Sequence, residues 1–166
     1  MTSVRVVDSS LIIEADRLRI TSKLSIYFLK HPNPITIAPR KVKEETVDRP
    51  ARIDRLSRSA GRIDTELFRK GSIVVEDPSY QDNKICRIID RIGDCIAKRS
   101  GKRRDLVERT DLDFVTLALN HMANGDAVET VFRDDALLSC VKSVLMAHGL
   151  GDKLRFVSVS DFLERM

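Results

Sequence analysis

Five short apolar runs alternate with longer stretches whose apolar positions recur at helical spacing. Residues 4–8, rich in valine, predict a buried strand, and Asp8-Ser9-Ser10 offers cap-forming side chains to a helix behind it. Leu11, Ile12 and Ile13 continue an apolar run. Leu18, Ile20, Leu24, Tyr27, Phe28 and Leu29 predict a second helix, stopped by His31-Pro32-Asn33-Pro34. Residues 35–37 predict a second strand, and Pro39 fits the first turn of a helix carrying Val42, Glu45 and Val47. After Pro50, Ile53, Leu56, Ala60, Ile63 and Leu67 predict one further helix closed by Lys70-Gly71. A strand at 73–75 precedes an amphipathic helix at 81–99, with Ile85, Ile88, Ile89, Ile92 and Ile96 on one face. A helix at 111–123, a turn at Asn124-Gly125, a strand at 128–132 and a helix at 135–148 follow. The chain closes with a strand at 155–159 and a short helix capped by Ser160-Asp161. Strand and helix in alternation imply a single α/β domain over 1–166, a central and mainly parallel five-stranded sheet flanked by helices.

A chain of 166 residues is long enough for one core that needs no staples. No run of 18 apolar residues is present, which argues against a membrane partner, and Asp8 and Glu14 interrupt any secretory apolar segment. Cys86, Cys95 and Cys140 lack CxxC spacing; Cys86 and Cys140 lie among apolar neighbours and read as reduced core residues, which favours a cytoplasmic location. His31, His121 and His148 have no ligand spacing with them, so zinc is disfavoured. The net charge is +4, yet that sum includes several acidic clusters, so the remaining surface is more basic than the total suggests.

Those clusters carry the candidate chemistry. Asp8 and Asp134/Asp135 end strands, Asp111/Asp113 opens a helix, and Glu45 sits on the helix after the second strand. One acid is enough to cap a helix, so capping explains each position but not their shared placement at the carboxyl edge of a parallel sheet, where ligands bind. Carboxylates gathered there repel unless a cation neutralises them, which points to a hard divalent metal and phosphate chemistry. Neither GxGxxG nor GxxxxGK[ST] is present, and Asp8-Ser9-Ser10 lacks the second aspartate of the DxD phosphatase pattern.

Four segments then carry a resemblance. Val6-Val7-Asp8-Ser9-Ser10-Leu11-Ile12 resembles the opening of PIN-domain nucleases, and Pro39 through Glu45 is similar to their second acidic station. Thr110 through Ala118 resembles the third and Val131-Phe132-Arg133-Asp134-Asp135 the fourth, with Gly149 through Leu163 like the closing turn, strand and helix. The resemblance implies a metal-dependent endoribonuclease, toxin-type or RNA-processing, with Asp8, Glu45, Asp111 and Asp134 as catalytic residues. The same four, with Asp113 and Asp135, would hold Mg²⁺ or Mn²⁺. Glu45 is preferred to Glu44 on its spacing from Val42 and Asp48, and Asp111 to Asp113 on its fit to the apolar register. The departure is Arg133, where the family commonly has Thr or Ser; there it pairs with Asp134 or Asp135, or contacts the scissile phosphate.

RNA, single-stranded or structured, is the implied substrate. Lys98, Arg99, Lys102, Arg103 and Arg104 form a basic loop suited to its backbone, and a second row runs Arg49, Arg52, Arg55, Arg58, with Asp54 placed to pair with Arg58. An antitoxin peptide, a ribosomal precursor and a homodimer through the Leu18, Ile20, Leu24, Phe28 face are the other partners the resemblance admits. A PIN-like scaffold that binds RNA or protein without cutting is the competing expectation.

Overall fold

The computed structural model describes residues 2–166. Five strands, β1 (Ser3–Val7), β2 (Ile35–Ala38), β3 (Val74–Val75), β4 (Ala127–Phe132) and β5 (Leu154–Ser158), form one sheet in the order β3-β2-β1-β4-β5. Every pairing is parallel; Val4 lies opposite Ile35 and Val128, and Val7 opposite Val131. Central strands of such a sheet are covered on both faces, which is why β1 reads as an almost unbroken valine run.

Eight α-helices flank the sheet among the described residues: α1 (Ser9–Arg17), α2 (Thr21–Lys30), α3 (Arg40–Lys43), α4 (Ser57–Ile63), α5 (Asn83–Ser100), α6 (Arg109–Ala123), α7 (Asp135–Ala147) and α8 (Val159–Arg165). Alternation along β1 divides the core. Val4 and Val6 pack with the isoleucines of α5, with α6 and with α7. Val7 packs on the other face with Leu11 and Ile12 of α1, Leu24 and Phe28 of α2, and Phe162 of α8. The side chain of Asp82 caps α5 through the N–H groups of Lys84 and Ile85, and Gly101, at φ 67°, takes the left-handed turn that ends it.

Several elements differ from the sequence expectation. Pro39 precedes α3 rather than lying in its first turn, and α3 runs on into a π turn over Glu44–Asp48. The stretch after Pro50 is not one helix. It is a 3₁₀ turn (Pro50–Arg52), a bend, α4, and a second π turn (Asp64–Arg69). Successive N–H groups of Ile53 and Leu56 reach back only three residues, to Pro50 and Ile53. Ile53 and Leu56 are consequently exposed, the arginines do not share a helix face, and no Asp54–Arg58 ion pair forms among the described residues. The proposed dimer face is divided: Leu24 and Phe28 of α2 are core, whereas Leu18, just past the end of α1, is exposed.

The cysteine expectation is corrected. Cys95 on α5 and Cys140 on α7 are joined by a disulfide, and only Cys86 is free. Both partners lie where α5 and α7 pack together, so the neighbourhood that reads as apolar core also brings the sulfurs into bonding reach. The premise of reduced cysteines, from which a cytoplasmic location was inferred, therefore falls. No helix among the described residues is long and apolar enough to cross a membrane.

Candidate functional site

Asp8 immediately follows β1 and Asp134 follows its neighbour β4 by two residues. The ladder extends one step past β1, the Asp8 N–H donating to the Val131 carbonyl at 3.1 Å. β1 is also where the strand order reverses, with β2 on one side and β4 on the other, so Asp8 opens onto the crevice such sheets use for ligands. Asp8 occupies the N-cap position of α1 without capping it; its Oδ2 accepts instead from the Ser10 hydroxyl at 3.0 Å. Ser10 Oγ in turn accepts from the Arg133 N–H at 3.1 Å. One serine thus ties the strand end carrying Asp8 to the loop carrying Asp134. Asp134 does cap α7, through Leu137 N–H at 3.0 Å.

The other two acids come from helices on opposite faces of the sheet. Glu44 and Glu45 are separated by their surroundings. Glu44 pairs with Lys41 at 3.3 Å, whereas Oε1 of Glu45 is buried and has no hydrogen-bond partner among the described residues. The π turn that carries Glu45 is a local widening of the helix, a feature frequent at functional positions. Asp111 lies in the first turn of α6, which begins at Arg109, two residues earlier than the sequence suggests.

These carboxylates feel one another. Burial pushes the Asp111 carboxyl up to about 7, and the negative charges of Asp8, Asp134, Glu108 and Glu45 push in the same direction. Burial likewise raises Asp8; the Ser10 hydroxyl and the Ser9 N–H act against it, and Glu45 adds to the rise. Glu108, just before α6, is a fifth acid that the sequence reading missed; a start to α6 at Arg109 would have exposed it.

As placed, no three His, Cys, Asp or Glu side chains among the described residues converge into a ready coordination shell. The donor set nevertheless fits a hard divalent cation: all donors are carboxylate oxygens, one of them buried and unpartnered, and two carboxyls are raised first by burial and further by neighbouring negative charge. A cation between them would remove that repulsion.

Three other sequence candidates sit elsewhere. Asp113 is buried on the far side of α6, where it accepts from the Tyr80 hydroxyl and pairs with Arg109 at 3.2 Å. It cannot share an ion with Asp111 in that rotamer, because adjacent odd positions of a helix point apart. Asp135 is exposed in the first turn of α7. The Arg133 guanidinium reaches neither Asp134 nor Asp135 and lies 3.6 Å from Glu14. In the basic loop, Arg103 pairs with Asp105 at 3.1 Å and Arg104 with Asp94 and Asp90 at 3.3 and 3.6 Å. Lys98, Arg99 and Lys102 have no ion-pair partner among the described residues and line an open hollow at the end of α5. Arg52 and Arg55 are exposed beside α4, also without ion pairs among the described residues.

A family model described as Halobacterial PIN domain matches residues 1–166. No curated protein and no solved structure matches the chain.

Proposed function

This chain belongs to the Halobacterial PIN domain family, and on that premise we propose that it is a divalent-metal-dependent endoribonuclease acting at Asp8, Glu45, Asp111 and Asp134. The observation that carries the reading is the electrostatic coupling of these four carboxylates, drawn from distant parts of the chain to one sheet edge. Bound Mg²⁺ or Mn²⁺ would supply there an acidified water and charge neutralisation for an in-line displacement at phosphorus.

The chain's own groups have separable parts in this. Glu45, with its buried unpartnered oxygen, and Asp8, oriented by Ser10, would hold the ion. Asp134 is exposed and, with one oxygen engaged by α7, offers the other toward solvent, where a substrate strand arrives. Asp111, with a carboxyl near 7, is charged or neutral according to whether a cation is present. Lys98, Arg99 and Lys102, together with Arg52 and Arg55, hold the RNA backbone by charge without reading its sequence. A toxin role and an RNA-processing role share this chemistry.

The competing scaffold reading rests on Arg133 disabling the acids, and the direction of its guanidinium toward Glu14 speaks against that. The test is cleavage of a labelled single-stranded RNA with Mn²⁺, Mg²⁺ or EDTA by the purified chain and by Asp8→Asn. Metal-dependent cutting is expected, lost in the variant while folding and RNA binding persist. Absence of cutting and of Mn²⁺ binding in the unaltered chain would sink the nuclease reading in favour of the scaffold.

A further inference from the structure

At the amino edge of the sheet, away from the acids, one polar row interrupts the core. Thr36, Arg5, Glu129 and Arg155 stand side by side on β2, β1, β4 and β5, in register. Arg5 is buried, its side chain 4% exposed, in contact with the rings of Phe28 and Phe162. Its Nε donates to Glu129 at 3.0 Å and its Nη1 to Thr36 at 3.1 Å. Arg165 of α8 reaches the same carboxylate at 3.2 Å and Arg155 at 3.9 Å. Three guanidinium groups therefore face one carboxylate, leaving two positive charges uncompensated.

The excess sits on Arg155 and Arg165, which are open to solvent beside the buried Arg5–Glu129 pair and so are accessible to an anion from outside. The row opens into a hollow of about 470 Å³, lined by Arg5, Arg155 and Arg165 together with Glu129 and edged by Tyr27 and His31. That volume falls within the range of small-ligand sites. Arg5 lines this space, and its Nε and Nη1 are the nitrogens engaged by Glu129 and Thr36. Planar guanidinium forks suit tetrahedral oxyanions, and two spare positive charges match a dianion.

We propose that this cavity binds a phosphate monoester, held by Arg5, Arg155 and Arg165 at the edge of the sheet opposite the acids. A free nucleotide and the terminal phosphate of an RNA offer the same group. The inference does not depend on the nuclease reading, since no acid of the other edge takes part.

The experiment is calorimetry in EDTA on the full chain carrying Asp8→Asn, titrated with inorganic phosphate, AMP, and a short RNA bearing either a 5′-phosphate or a 5′-hydroxyl. Arg155 and Arg165 are the more exposed members, so Arg155→Gln with Arg165→Gln tests the site without opening the core. Binding of phosphate or AMP weakened roughly tenfold or more in that variant is expected for a nucleotide site. A preference for the 5′-phosphorylated RNA alone, lost in the same variant, identifies the RNA end as the source. Glu129→Gln, which removes the competing carboxylate, should tighten binding and should gain more thermal stability from phosphate than the parent does. Equal behaviour of parent and double variant toward all four probes would overturn the proposal and leave the cluster as a structural plug.

Discussion

Replacing Asp111 with asparagine should stabilise the metal-free protein at neutral and alkaline pH. Asparagine has nearly the same shape and cannot ionise, so the substitution removes only the charge. In the folded chain the Asp111 carboxyl stands at about 7, against an ordinary value of 3.8. At ~1.4 kcal/mol for each tenfold change in proton affinity, that difference amounts to about 4 kcal/mol. The sign follows from proton counts. Between the two values the folded chain binds a proton that the unfolded chain has released, so stability falls as pH rises through this window. The whole penalty is present above pH ~7, less than half of it at pH ~5, and almost none below the unfolded value. Solvent reaching the half-buried carboxylate reduces the figure, so about 2–4 kcal/mol is expected, or roughly 5–15 °C in melting temperature for a chain of this size. The assay is thermal unfolding of both proteins in EDTA at pH 5 and pH 8. The variant should be the more stable at pH 8, with a smaller gap at pH 5, and added Mn²⁺ should raise the parent alone. A gap that does not change with pH, or a variant less stable at pH 8, would refute the reasoning, since burial and the neighbouring acids would then not be raising the Asp111 carboxyl.

Asp113→Ala should cost about 1–3 kcal/mol by leaving the Tyr80 hydroxyl without its acceptor, while Mn²⁺ affinity measured by calorimetry stays unchanged; a loss of affinity would return Asp113 to the ion. Converting Lys98, Arg99 and Lys102 to glutamine should flatten the salt dependence of single-stranded RNA binding by up to about two in log–log slope. The same change at Arg103 and Arg104, both already paired, should do less. His121 lies between Asp126 and Glu76, with 2.8 Å contacts to each. Burial alone would lower it, but the two carboxylates outweigh burial and raise it above 6.5. Its contribution is therefore complete below pH 6.5 and lost as pH climbs through the raised value, so urea unfolding of His121→Gln should differ most from the parent at pH 6 and least at pH 9.

The parallel sheet was legible because strands such as Val4–Val7 and Val128–Phe132 are rich in β-branched apolar residues even where Arg5 and Glu129 interrupt them, and because caps and glycines punctuate the helices between them. The region from Pro50 to Leu67 was not, since a helical period running from Ile53 and Leu56 into α4 survives even where Ile53 and Leu56 form only three-residue turns. At the acidic edge, sequence spacing could name Asp8, Glu45, Asp111 and Asp134 but not the directions of side chains. Asp113 turns to Tyr80, Arg133 turns to Glu14, and Ser10 joins two strand ends; each depends on a partner remote in the chain. The Cys95–Cys140 bond was hidden for the same reason, because two helical cysteines among isoleucines and leucines look alike whether bonded or free.

The acids at the carboxyl edge are drawn from both layers of the molecule. Asp111 rides on α6, within the apolar layer formed with α5 and α7, whereas Glu45 rides on the segment anchored by Val42 and Val47 in the opposite layer. Only the first of these layers carries a covalent clasp, from α5 to α7. Partial opening is then asymmetric: the unclasped layer should detach at lower denaturant, and its amides should exchange with solvent earlier. Because that layer carries Glu45 away with it, the acidic cluster should behave as a coincidence gate, assembled only when both halves of the protein are docked, and should come apart before the sheet itself gives way.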